Sequence, residues 1–356
     1  MARRSSALHR IEAKNLALGA HSCDVGGVIH RRSFLAALTA SMVLGSTCRT
    51  ARAQSTAGGG PRLKSIARDE QGTTVVLGLD HAPFPSPGAP YQDDTVLVFV
   101  PSHHRYHAEE GLSVLVHFHG HNTTAERATA AHQLREQLSD SRQNAILVVP
   151  QLALSAPDSG CGKLEAPGGL ARLLEEAMIA TSRQGRTFGD SRFPSGAALG
   201  TVCISAHSGG YHAATSCLRS GGIDVRETYL FDALYAEVET VRDWVIARRG
   251  EPLHRRHKLV DYFVESTATE VNSLGLRAEL EHAGVLCQEE QQEGVLSRHD
   301  LSHAEAVFVR TGVYHSQVTW ETNALRDCLY ASALPRHLSS DWFARKRGAR
   351  PIERRR

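Results

Sequence analysis

Val202-Cys203-Ile204-Ser205-Ala206-His207-Ser208-Gly209-Gly210-Tyr211-His212-Ala213-Ala214 is the stretch whose reading decides the fold. It is apolar up to Ala206 except at Ser205, turns at Ser208-Gly209-Gly210, and continues in residues that suit a helix. A strand, a sharp turn and a helix start therefore follow one another without a linker. A side chain at the apex of such a turn must hold a strained backbone conformation, which small residues two positions before and two after it make possible. Ala206 and Gly210 occupy those positions. The turn is expected to lift the Ser208 hydroxyl above the edge of a sheet, at a helix N-terminus where the backbone dipole favours developing negative charge. Ala206 is a mild departure from the pattern G-x-S-x-G.

Outward from this turn, strands and helices alternate. Strands are expected over 73–79 and 95–100, separated by the Pro- and Gly-rich loop 83–90, and then over 112–118, 145–149, 201–205, 225–231, 258–264 and 306–310. Helices are expected over 124–138, 168–181, 209–219, 236–248 and 269–283, with a last helix beginning near Gln317. Strands that are apolar nearly throughout, separated by helices of moderate length, imply an α/β fold: a doubly wound, mostly parallel sheet of about eight strands, covered on both faces. Ligands of such sheets bind beyond the carboxyl ends of the strands, so the informative residues should lie just after each one.

The strand Leu115-Val116-His117-Phe118 runs into His119-Gly120-His121-Asn122-Thr123. With the turn at Ser208, this loop resembles the α/β-hydrolase superfamily, whose members place a His-Gly pair after the corresponding strand. The resemblance spans nearly all of residues 70–335 in element order and about fifteen residues in motifs. It implies an α/β-hydrolase fold and an oxyanion hole built from the backbone N–H groups of Gly209 and of His121 (or Asn122). Family members keep their catalytic histidine in the loop after the last strand, where this chain has Gly312-Val313-Tyr314-His315-Ser316. The resemblance thus implies Ser208 as nucleophile and His315 as general base. An imidazole near its ordinary pKa of about 6.5 both accepts and returns a proton around neutrality. For the acid that orients His315 the resemblance offers Asp232, after Thr228-Tyr229-Leu230-Phe231, with Glu265 and Glu270 after the next strand as alternatives. The order Ser, acid, His holds for each. The implied activity is a serine hydrolase cleaving a carboxylic ester, or a related acyl bond, through an acyl-enzyme, with no cofactor and no metal, on a small-molecule or polymeric ester substrate. The short segment 233–257 leaves little chain for a large lid, and 151–167 and 284–304 are candidates to wall the pocket.

Two other readings compete. His117, His119 and His121 alternate, and three same-facing histidines would suit zinc and an exported metallohydrolase. The pattern resembles the His-x-His-x-Asp-His of metallo-β-lactamase-like hydrolases, but Asn122-Thr123 stands where Asp-His is required. The third reading is a catalytically silent α/β-hydrolase-fold binding protein.

The 356 residues carry 40 Lys+Arg against 38 Asp+Glu, 41% hydrophobic residues and 22% charged ones, which places the chain among ordinary globular proteins. The balance is uneven along the chain. Residues 1–53 hold eight basic and two acidic residues, and 343–356 hold seven and one, leaving 25 basic against 35 acidic residues between them. An acidic body does not suit a nucleic-acid groove or an anionic membrane surface. His30-Arg31-Arg32-Ser33-Phe34-Leu35, the short apolar run to Leu44 and the small residues of Ala51-Arg52-Ala53 resemble a twin-arginine export signal with its cleavage site. The expected organisation is a signal over 1–53, a linker over 54–70, the hydrolase domain over 71–342 and a basic, disordered tail over 343–356, with the mature protein periplasmic or secreted and no longer at the membrane. Cys161, Cys203, Cys217, Cys287 and Cys328 remain after the leader, an odd number, and no CxxC pair supports a cysteine zinc cluster.

Overall fold

Strand Leu112–Phe118 is buried at every position, and its side chains divide between two cores: Leu112, Val114, Val116 and Phe118 enter one, Leu115 the other. The period-two alternation of a strand makes this division, and it requires a cover on both faces. The computed structural model, which describes residues 60–187, 194, 196–291 and 293–336, shows how that cover is built. The expected leader over 1–53 and basic tail over 343–356 lie outside the described residues.

The strands are β1 (Arg62–Arg68), β2 (Gly72–Gly78), β3 (Thr95–Pro101), β4 (Leu112–Phe118), β5 (Ala145–Pro150), β6 (Leu199–His207), β7 (Val225–Phe231), β8 (Lys258–Val264), β9 (Cys287–Glu290) and β10 (Ala306–Thr311). They form one sheet in the order β1-β2-β3-β5-β4-β6-β7-β8-β10-β9. The first three strands and the β3–β5 pair are antiparallel, and every pair from β5 to β9 is parallel. The helices are α1 (Ala125–Ala131), α2 (Leu134–Ser141), α3 (Gly169–Thr187), α4 (Tyr211–Ser220), α5 (Val238–Ile246), α6 (Ala268–His282), α7 (Arg298–His303) and α8 (Ala324–Tyr330). Apolar residues of α3, α4, α5 and α6 fill the first core, and those of α1, α2, α7 and α8 fill the second. Each fully buried Leu, Val or Phe in these layers stabilises the fold by about 1.5–3 kcal/mol. This is the doubly wound α/β-hydrolase fold.

Among the described residues the sheet has ten strands rather than about eight, and both additions are polar edge strands. β1 lies in the expected linker; Arg62 and Lys64 point to the acidic pair Asp93-Asp94, with Lys64 Nζ 2.7 Å from Asp94. A register shift between Leu63 and Ser65 breaks the simple alternation that marks a strand. β9 is short, with three of its four residues only part-buried, so its sequence carries little apolar signal. The helix expected over 124–138 is divided at Gln133, which takes a left-handed φ of 50°. The break is held by Gln137, whose Nε2 donates to the His132 carbonyl at 2.8 Å and to that of Thr319 at 3.0 Å. The final helix starts at Ala324 instead of near Gln317; turns occupy the intervening residues.

Candidate active site

Because β4, β6, β7, β8 and β10 run parallel, their carboxyl ends share one edge of the sheet, and the segments following them meet there. At the end of β6, Ser208 adopts a φ of 53°, a conformation costing an L-residue about 1–3 kcal/mol. Close packing holds it. A Cβ added at Gly210 would fall 2.4 Å from the Phe118 carbonyl oxygen, and one at Gly120 would fall 2.8 Å from Ser208 Cβ. Glycine at 120 is thus what lets the loop after β4 pass against the serine. A 3₁₀ turn over Ser208–Gly210 then leads directly into α4.

The structure brings Ser208, His315 and Asp232 together. Ser208 Oγ is 2.8 Å from His315 Nε2, and His315 Nδ1 is 2.5 Å from Asp232 Oδ2. The carboxylate can only accept, so Nδ1 carries the proton and Nε2 offers a lone pair to the serine hydroxyl. Asp232 is buried and follows β7 with a φ of 45°. Its other oxygen accepts from Thr269 Oγ1 and, at 3.3 Å, from the Val264 N–H. Burial works to raise the Asp232 carboxyl, but the hydrogen bonds from His315 and Thr269 outweigh it and hold the group below its ordinary value. Glu265 and Glu270 do not reach this imidazole. Both pair with Arg310, at 3.3 and 2.7 Å, because the segment after β8 carries them toward that guanidinium while the turn after β7 brings Asp232 under His315.

Gly209 meets the loop after β4. A Cβ on Gly209 would lie 2.1 Å from His121 Cδ2, so residue 121 is packed against the residue that follows Ser208. The His121 ring is fixed by Ser159 Oγ at 2.8 Å. Asn122, the alternative backbone donor, already gives its N–H to the Ala156 carbonyl at 3.0 Å, leaving His121 as the candidate. Segment 151–167 therefore does wall this edge, as expected.

The three alternating histidines do not converge. His117 Nδ1 meets Ser205 Oγ at 2.9 Å; His119 Nδ1 donates to the Gly120 carbonyl at 2.8 Å while its Nε2 accepts from the Leu152 N–H at 3.0 Å; His121 turns to Ser159. β4 ends at Phe118, so the alternation that would place all three on one face stops before the second of them. Burial pushes His119 down to about 4, consistent with a neutral ring.

Two contributors were missed in the sequence. Thr269 acts only through tertiary contact. His207, adjacent to Ser208, gave a positional signal that composition obscured among 20 histidines. Its Nε2–H donates to the His315 backbone carbonyl at 2.8 Å, and its ring lies 4.7 Å from the His315 ring between centroids. Burial pushes His207 down to about 4, against the pull of that hydrogen bond.

No family model matches the chain, and no curated protein matches it. Among solved structures the chain is similar to a ferulic acid esterase, at 14% identity and a TM-score of 0.44 over 76% of this chain and 96% of that one. It is also similar to carboxyl esterase 2 of the mycorrhizal fungus Tuber melanosporum, at 13% identity and a TM-score of 0.40 over 75% and 87% of the two chains. A thermostable esterase from Pseudomonas putida ECU1011 stands at 14% identity and a TM-score of 0.37, over 79% and 84%.

Proposed function

We propose that this protein is a serine hydrolase that cleaves carboxylic esters through an acyl-enzyme, with Ser208, His315 and Asp232 as its catalytic triad. The observation that carries the reading is the continuous hydrogen-bonded line from the buried Asp232 carboxylate through His315 to the hydroxyl of a serine on a strained turn. As the Ser208 oxygen attacks the ester carbonyl, His315 Nε2 takes its proton. Asp232, kept ionised by its hydrogen bonds, holds the imidazole tautomer and stabilises the imidazolium. The developing oxyanion is met by the backbone N–H groups of Gly209 and His121, each such donor contributing about 3 kcal/mol to the transition state. His315 then returns the proton to the leaving alcohol, and water attacks the acyl-enzyme by the same steps in reverse.

The exposed ring of Tyr235, 6.4 Å from the His315 ring between centroids and 6.2 Å from that of Tyr211, supplies an apolar edge against which part of an ester can rest. Hydrolysis of p-nitrophenyl acetate tests the reading. Ser208→Ala is expected to lower kcat by about 10⁴-fold or more with the fold unchanged; a variant retaining most of the rate would refute the role of Ser208.

A further inference from the structure

The 3₁₀ turn Gly162–Glu165, in the wall formed by 151–167, packs against the first turns of α4. There Glu165 Oε1 lies 3.7 Å from the buried Cys161 Sγ and 3.6 Å from His212 Nε2. One donor atom from each residue lies within 4.8 Å of the other two. A tetrahedral zinc ion, with bonds of about 2.3 Å to sulfur and about 2.0 Å to nitrogen and oxygen, separates its ligand atoms by about 3.3–3.6 Å. Two of the three separations, sulfur to oxygen at 3.7 Å and nitrogen to oxygen at 3.6 Å, are close to that spacing as they stand.

The surroundings of His212 point the same way. Its Nδ1 meets Glu237 Oε1 at 3.0 Å, and Glu237 is itself held by Thr215 Oγ1 and, at 3.6 Å, by Arg219. A proton on Nδ1 leaves the Nε2 lone pair facing the Glu165 carboxylate across a gap too long for a hydrogen bond. Glu165 Oε1 also accepts from the Cys161 N–H at 3.1 Å, and its remaining lone pair and that of Nε2, facing each other beside a thiol, are stabilised by a cation between them. A carboxylate on the far nitrogen is also the usual support of a metal-bound histidine.

We infer that Cys161, Glu165 and His212 form a binding site for a divalent cation, zinc by its mixed sulfur, nitrogen and oxygen donors, with Glu237 as the positioning residue for His212. Binding replaces the Cys161 thiol proton, which leaves to solvent, with a sulfur–metal bond. The exposed side of Glu165 provides the entry and a fourth position for water. The ion ties the 161–165 turn to α4, whose first residue is three after Ser208, and so stiffens one wall of the candidate active site without entering the ester chemistry. The site is separate from His117, His119 and His121.

Titration of the full-length chain with Co²⁺, followed by Zn²⁺ competition against a chromophoric chelator, tests this. A thiolate-to-cobalt charge-transfer band and one tightly held zinc per chain are expected. Cys161→Ser should abolish the band and weaken zinc about tenfold or more, and Glu237→Gln should keep the band while weakening zinc about 10–100-fold. His212→Asn serves as a second ligand variant should Cys161→Ser fail to fold, and it should weaken zinc likewise. Ser208→Ala should bind zinc as the parent does, so this inference fails or stands apart from the proposed hydrolysis. No band in the parent chain, or equal zinc affinity in the ligand variants, would overturn it.

Discussion

His207 and His315 lie nearly side by side, yet the buried layer beneath the sheet edge and the open mouth above it treat the same ring differently. His207 is buried, edge-on to His132 at 4.6 Å between centroids, and burial pushes it down to about 4. His132 and His117, also buried, are held well below the ordinary imidazole value, first by burial and then by the neighbouring rings. The His315 side chain is 42% exposed and rests on a carboxylate. A ring locked neutral in the interior is a rigid hydrogen-bond donor, whereas the one at the mouth is open to solvent with an anion behind it. The aspartates divide similarly. Asp232 is held below its ordinary value by hydrogen bonds, while burial, aided by the charge of Asp232, pushes Asp261 on β8 up to about 7.

The largest effect that can break this contrast is at the mouth. Asp232→Asn should lower the rate of ester hydrolysis by on the order of 10⁴-fold, because the amide leaves His315 in the wrong tautomer. Glu265→Gln and Glu270→Gln, whose partner is Arg310, serve as controls and should stay close to the parent rate. A loss in either control comparable to that of Asp232→Asn would reassign the acid.

A smaller effect is expected one layer down. His207→Ala removes the donor to the His315 carbonyl and should lower kcat by about tenfold, the worth of one hydrogen bond of roughly 1.4 kcal/mol. KM should change little, and His207→Gln, which restores an N–H, should recover part of the rate. Equal losses in both variants would show that the ring's bulk, not its hydrogen bond, is what matters.

The smallest effect concerns stability. The folded chain holds a proton on Asp261 up to about pH 7, whereas the unfolded chain releases it near the ordinary carboxyl value of 3.8, so this residue makes stability fall as pH rises between those values. Asp261→Asn should therefore raise Tm at pH 8 by a few degrees relative to the parent, with the difference shrinking toward pH 4. A difference that does not vary with pH would mean that Asp261 does not titrate in this way.

What the sequence made legible followed the same division between interior and edge. The buried parallel strands announced themselves because both of their faces are apolar, and the turn at Ser208 did so because only small residues permit it. β1 and β9 were not legible, since edge strands are half wet and their charges obscure the alternation. The helix over 124–138 read as continuous because its break at Gln133 is imposed by Gln137 bonding to His132 and Thr319, partners that no local pattern reveals. The choice among Asp232, Glu265 and Glu270 stayed open for a related reason: all three follow strands, and only Arg310 and Thr269, distant in sequence, draw them apart. Cys161, Glu165 and His212 were invisible as a group, because the packing of a short turn on α4 is what unites them.

Mass spectrometry of the chain after reaction with a fluorophosphonate tests at the atom itself whether the Ser208 hydroxyl is the nucleophile. A single phosphonyl adduct is expected on the peptide bearing Ser208, formed in step with loss of ester hydrolysis and prevented by Ser208→Ala. Full loss of activity with the adduct on another residue, or an active chain that takes up no label, would contradict it.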